Sequence, residues 1–136
     1  MKTLFQWLLA TFLLVAVGFA LAQIPPTQHS GGISYISGGV GEEETTAILA
    51  EAKQWPVLLE LSQIENGRGV WIFGANIKVV DAKKQVLFNA QADGPYMLIN
   101  LEAGDYIIEA SYQGIEQKRA LSVKVNSTQK ISLFWK

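Results

Sequence analysis

From Val57 onward the apolar residues of this chain recur at every second position, and that period of two constrains the fold more than any other feature. Val57, Leu59 and Leu61 alternate with Leu58, Glu60 and Ser62, and Ala75, Ile77 and Val79 with Asn76, Lys78 and Val80. Tyr106, Ile108, Ala110 and Tyr112 alternate with Asp105, Ile107, Glu109 and Ser111. Leu121, Val123 and Val125 alternate with Ser122 and Lys124, and Ile131, Leu133 and Trp135 with Lys130, Ser132 and Lys136. Successive side chains of a strand point to opposite faces, so each run puts one face in a core. Residues 85–90 and 95–101 fit two further strands. Asn66-Gly67, Asp81 to Lys84, Asp93-Gly94-Pro95, Ala103-Gly104-Asp105, Gln113-Gly114 and Asn126-Ser127 separate the runs with turn-forming residues. The pattern predicts an all-β, seven-stranded antiparallel sandwich over residues 56–136.

Upstream of Pro56 the period changes. Glu42, Glu43 and Glu44 open a segment that Lys53 closes, an order that complements a helix dipole. Ile48, Leu49, Ala52 and Trp55 fall at helical spacing, and Pro56 stops the turn from continuing. One short helix over 42–55 is expected, its stripe packed on the sheet. Residues 23–41 (QIPPTQHSGGISYISGGVG) are rich in Pro, Gly and Ser, and read as a flexible lead-in.

The first 22 residues read as a secretory signal peptide. Lys2 gives the positive start, Leu4 to Leu21 is nearly all apolar, and Ala20-Leu21-Ala22 supplies the small residues of a cleavage box between Ala22 and Gln23. The apolar run would also span a bilayer, but the cleavage box favours removal, with no stable membrane span afterwards. Cleavage would leave residues 23–136, enough for one domain, and send it to the periplasm or the medium. Ten basic residues then face 12 acidic ones, because Lys2 is lost from the 11. That balance lacks the clustered positive charge of a nucleic-acid binder. The chain has no cysteine, so burial and backbone pairing alone must hold it, and thiol chemistry is excluded.

Four segments resemble the carboxypeptidase regulatory-like domain family. They are Gly74-Ala75-Asn76-Ile77-Lys78-Val79-Val80-Asp81, Asp93-Gly94-Pro95-Tyr96-Met97-Leu98, Leu101-Glu102-Ala103-Gly104-Asp105-Tyr106, and Tyr112-Gln113-Gly114. The resemblance implies a transthyretin-like (Ig-like) sandwich, with Ala103 standing where the family usually has a corner proline. The segment Ser37 to Glu44 is also similar to the lead-in of small stand-alone exported proteins of Gram-negative bacteria. Gly74, Asp93, Gly94, Gly104 and Tyr106 are the residues to which this assigns structural roles. Tyr106 would reach an upstream backbone group from the corner, and the Asp93 carboxylate would bond nearby backbone. Hydrolases of urate breakdown share such a sandwich but use histidines and a C-terminal Tyr-Arg-Gly-Ser. This chain ends Ser132-Leu133-Phe134-Trp135-Lys136.

Catalytic constellations are hard to assemble from these residues. His29 is the single histidine and falls in the lead-in, so neither a histidine metal cluster nor a serine triad can be built on it. Glu42 to Glu44 lacks the spaced carboxylates of a calcium loop and reads as a helix start. Gly38-Gly39-Val40-Gly41 could cradle an anion, but the adjacent carboxylates oppose it. No cofactor, metal or catalytic residue is expected. What stands out is surplus apolar surface. Val70-Trp71-Ile72-Phe73 is continuous, and Met97, Ile99 and Ile107 lie opposite the positions expected to face inward. Either the helix covers this second face or a partner does. Trp55, Trp71, Phe73, Tyr96, Met97 and Ile99 are therefore the candidate interaction surface for a protein or envelope component. The alternative occupant is a glycan, since exposed Trp and Tyr rings stack on sugars.

Overall fold

The computed structural model describes residues 23–136; residues 1–22, on which the expected signal peptide and its Ala22 fall, lie outside the described residues. Two sheets pack face to face, as the alternation predicts. The elements in order are β1 (Gln28–Ser30), β2 (Ile33–Gly38), α1 (Glu42–Glu51) with a 3₁₀ turn (Ala52–Gln54), β3 (Val57–Glu65), β4 (Arg68–Trp71), β5 (Asn76–Val80), β6 (Val86–Gln91), β7 (Tyr96–Ile99), β8 (Gly104–Tyr112), β9 (Ile115–Val123) and β10 (Gln129–Trp135). The first sheet runs β1-β2-β7-β3-β10 with β4 also on β3, and the second runs β6-β5-β8-β9.

Among the described residues ten strands form where seven were expected. Two of the extra ones come from the lead-in, which is not a flexible tether. Gly31 and Gly32, with φ of 58° and 79°, turn β1 onto β2, and β2 then pairs with β7 from Tyr35↔Ile99 to Gly38↔Tyr96. Tyr35 enters the space between the sheets, where its ring meets Phe88 edge-on at 5.1 Å. Ile36 goes to the opposite face, so Gly-rich sequence hid two apolar anchors on two different faces. The third extra strand, β4, pairs back on β3 across Asn66-Gly67, whose φ values of 50° and 77° suit a two-residue hairpin.

The sheets are also not wholly antiparallel. β10 lies parallel to β3, from Gln129↔Val57 to Trp135↔Gln63. Along the other edge of β3, β7 pairs with Val57–Glu60 and β4 with Ser62–Glu65. Periodicity reports which face of a strand is buried, not which way its neighbour runs. Strand β9 begins at Ile115, earlier than the alternation showed, because Ile115 to Ala120 pair with β8 but carry no inward apolar pattern; Val125 falls past its end and is exposed.

The main core holds Val57, Leu59 and Leu61 of β3, Ile77 and Val79 of β5, Ile108 and Ala110 of β8, and Ile131, Leu133 and Trp135 of β10. A second, smaller core lies on the outer face of the first sheet. There Ile48 and Ala52 of the helical segment cover Ile36, Leu58, Tyr96 and Leu98. The helix therefore covers only part of an outer face, through Tyr96 and Leu98, and none of the residues that the sequence placed on the second face: Met97 and Ile99 lie in the main core, and Val70, Trp71, Phe73 and Ile107 stay exposed. Leu49, expected in the stripe, stays 38% exposed. Glu44 folds back to accept hydrogen bonds from the backbone N–H groups of Gly39 (2.8 Å) and Val40 (3.3 Å). The chain's own carboxylate thus takes the amides that an anion would need. No helix among the described residues is long and apolar enough to cross a membrane.

Candidate interaction surface

Beyond the reach of α1 the outer face of the first sheet is bare. Strand alternation puts Glu60, Ser62 and Ile64 of β3 on this face, in phase with helix-covered Leu58. Register then aligns three rows across the strands. Tyr96, Glu60 and Ser132 form one row, Trp71, Ser62 and Phe134 the next, and Gly69 sits beside Ile64 in the last. Trp71 is 51% exposed and Phe134 46%. They stand two strands apart, about 10 Å, with the small Ser62 between them as the floor of a shallow groove.

The Trp71 ring is held from behind. It tilts at 47° on the Tyr96 ring, with centroids 5.3 Å apart, a contact geometry favoured by aromatic quadrupoles. Tyr96 is itself buried among the small-core residues, and burial raises its phenol above the ordinary range. The negative charge of Glu60 raises it further, while Lys130 opposes that. Glu60 spans the row below. Its Oε1 lies 3.0 Å from the Lys130 ammonium and its Oε2 accepts a 3.0 Å hydrogen bond from Ser132 Oγ. The groove thus has two aromatic walls and a polar margin, an arrangement typical of interface hot spots.

The candidate residues separate on inspection. Trp71 and Tyr96 come together, but Tyr96 is only 5% exposed and begins a strand, so it braces the surface instead of presenting itself. Met97 and Ile99 do not belong to it. Both are fully buried in the main core, because the inward phase of β7 is Met97/Ile99 and the helix-facing phase is Tyr96/Leu98, opposite to the expectation. Ile107 is on the outward phase of β8 and 39% exposed. Phe73, 54% exposed, lies past β4 where the chain crosses to the second sheet. Trp55 is half-buried at the far end of β3, its indole N–H donating to Glu51 Oε1 at 3.2 Å. Sequence reasoning misses Phe134 and Ile64. A signal exists for Phe134, an aromatic residue on the phase otherwise held by Lys130, Ser132 and Lys136.

The structural residues also find their places. Tyr106 Oη donates to the Glu102 carbonyl at 2.7 Å, closing the corner from which Gly104 opens β8. The Gly74 N–H donates to the Ala92 carbonyl at 2.9 Å. The Asp93 carboxylate accepts from the Gln28 side chain at 3.2 Å instead of from nearby backbone. Asp81 is the carboxylate that caps a turn, accepting from the Lys83 and Gln85 N–H groups at 2.9 Å each. His29 lies in β1 opposite Ser34, exposed, and not in a mobile tether. Among the described residues no three His, Asp or Glu side chains come together as metal ligands would. Compared with known proteins, the chain matches no family model, and no curated protein shows significant similarity to it.

Proposed function

We propose that this chain is an exported, non-catalytic binding module of a Gram-negative envelope that docks a partner protein on the aromatic groove of β4, β3 and β10. Kinship with the carboxypeptidase regulatory-like family, and with its transthyretin-like sandwich, belongs to the same proposal. It is supported by the segments Gly74–Asp81, Asp93–Leu98 and Leu101–Tyr106, which form the strands and corners between the sheets. One observation carries the docking role: Trp71 is fixed from behind by buried Tyr96 yet leaves half its surface open, in register with equally open Phe134. An aromatic ring braced as Trp71 is loses little side-chain entropy on binding, which is why such residues dominate interface energetics. The test is a photo-crosslinking residue in place of Ser62, introduced into the chain in its native envelope. A discrete cross-linked protein that disappears in a Trp71→Ala/Phe134→Ala background is expected. Cross-linking that is absent, or indifferent to those two rings, would remove the proposal.

A further inference from the structure

At the end of the sandwich opposite the aromatic groove, a cleft of about 570 Å³ opens between the 3₁₀ turn, the β7–β8 loop and the β9–β10 loop. Its volume lies in the usual range for small-molecule sites. Lys53 and Lys124 line it, together with Gln54, Asn100, Asn126 and Ser127, and no carboxylate does. The described residues as a whole carry more acids than bases, so this is a local inversion of charge. Neither lysine takes part in the salt bridges found among the described residues, which join Lys118 to Glu109 and Lys130 to Glu60.

Trp55 is also among the lining residues, and its half-buried ring is held in place. Its N–H is committed to Glu51, and it packs against the small core. The backbone around it is tied to a segment more than 70 residues away. Thr128 Oγ1 donates to the carbonyls of Trp55 (2.7 Å) and Ala52 (3.1 Å), and the Gln129 N–H donates to the Pro56 carbonyl at 2.8 Å. Two ammonium groups select an anion, and side-chain amides and a hydroxyl match a polyol. A fixed indole face matches the apolar face of a pyranose ring.

We infer that this cleft is a second binding site, for an acidic saccharide whose carboxylate sits between Lys53 and Lys124 while a sugar ring stacks on Trp55. The site shares no residue with the aromatic groove and stands or falls independently of it. The experiment is a titration of the folded chain with oligogalacturonate, following the indole N–H resonances by NMR. The Trp55 resonance should move in a saturable, salt-sensitive way while that of Trp71 stays still, and Lys53→Gln/Lys124→Gln should weaken the affinity at least tenfold. Both lysines are exposed, so the variant should keep the wild-type spectrum elsewhere. A neutral oligogalactose that binds as well, inorganic phosphate that reproduces the shifts, or a Trp55 signal that does not respond would each overturn the inference.

Discussion

Gly94 lies directly on the backbone of Gly38: a Cβ at position 94 would stand 2.3 Å from the Gly38 carbonyl oxygen and 2.6 Å from its carbon. The atoms in the way belong to main chain, which cannot rotate aside as a side chain can. This contact joins the turn before β7 to the end of β2, and a second bond reinforces it, from the Asp93 N–H to buried Ser37 Oγ at 2.8 Å. Gly94→Ala should therefore force β2 away from β7 and lower stability by about 1–3 kcal/mol, the usual cost of overpacking. Urea unfolding reads this as a lower midpoint at unchanged slope. A midpoint equal to wild type would mean that β2 is not seated against this turn.

The helix offers a paired comparison. Ile48 is fully buried against the outer face of the first sheet, whereas its neighbour Leu49 is 38% exposed. Ile48→Ala should cost about 2–5 kcal/mol, as expected for truncation in a packed core. Leu49→Ala should cost clearly less, about 1 kcal/mol, since more than a third of its surface keeps its water in the folded chain. Thermal unfolding of the two variants side by side decides it. Equal losses would place the helix elsewhere on the sheet.

Much of this architecture is legible in the amino-acid sequence alone. The alternation in Val57–Leu61, Tyr106–Tyr112 and Ile131–Trp135 names the inward side chains correctly, because a sheet with a buried face enforces period two. Where both faces are covered the rule loses its footing. Tyr96, Met97, Leu98 and Ile99 are all buried, half by the other sheet and half by α1, so nothing in their order distinguishes the two phases. The same is true of β2, where Tyr35 and Ile36 serve different cores from adjacent positions. The groove is only half legible. Trp71 stands out as part of an apolar run, but Phe134 joins it through the parallel pairing of β10 with β3, a long-range relationship that no local pattern encodes.

Tyrosine ionisation gives the fold an alkaline limit. Burial pushes the phenols of Tyr35, Tyr96 and Tyr106 above the ordinary value of 10.0, with Asp93, Glu60 and Glu102 respectively adding to the rise. Between the unfolded and folded values the unfolded chain has released protons that the folded chain keeps. Stability contributed by these groups is complete below pH 10 and is lost as pH climbs through the folded values. Urea midpoints should fall as pH rises above about 10. Tyr106→Phe should flatten part of that fall and, by removing the bond to the Glu102 carbonyl, cost about 1 kcal/mol at neutral pH. A variant whose alkaline profile superimposes on that of the wild type would refute the assignment for Tyr106.

Two of the two-residue hairpins solve the same problem with different residues, and one can be improved. Asn66-Gly67 joins β3 to β4 and Gln113-Gly114 joins β8 to β9, with φ of 50° and 77° in the first and 50° and 80° in the second. Both central residues of such a turn need positive φ, which asparagine adopts more readily than glutamine because its short side chain can bond locally. Gln113 gives back only a 3.3 Å hydrogen bond to the neighbouring Tyr112 hydroxyl, at an exposed position. Gln113→Asn should thus raise stability by about 0.5 kcal/mol. Gly114→Ala should lower it by about 1–2 kcal/mol, though a Cβ there would meet no atom within 4 Å. The pair separates backbone conformation from packing, since neither substitution touches a core. If Gly114→Ala were neutral in thermal unfolding, the hairpin would have to turn with some other geometry, and the gain at position 113 would vanish with it.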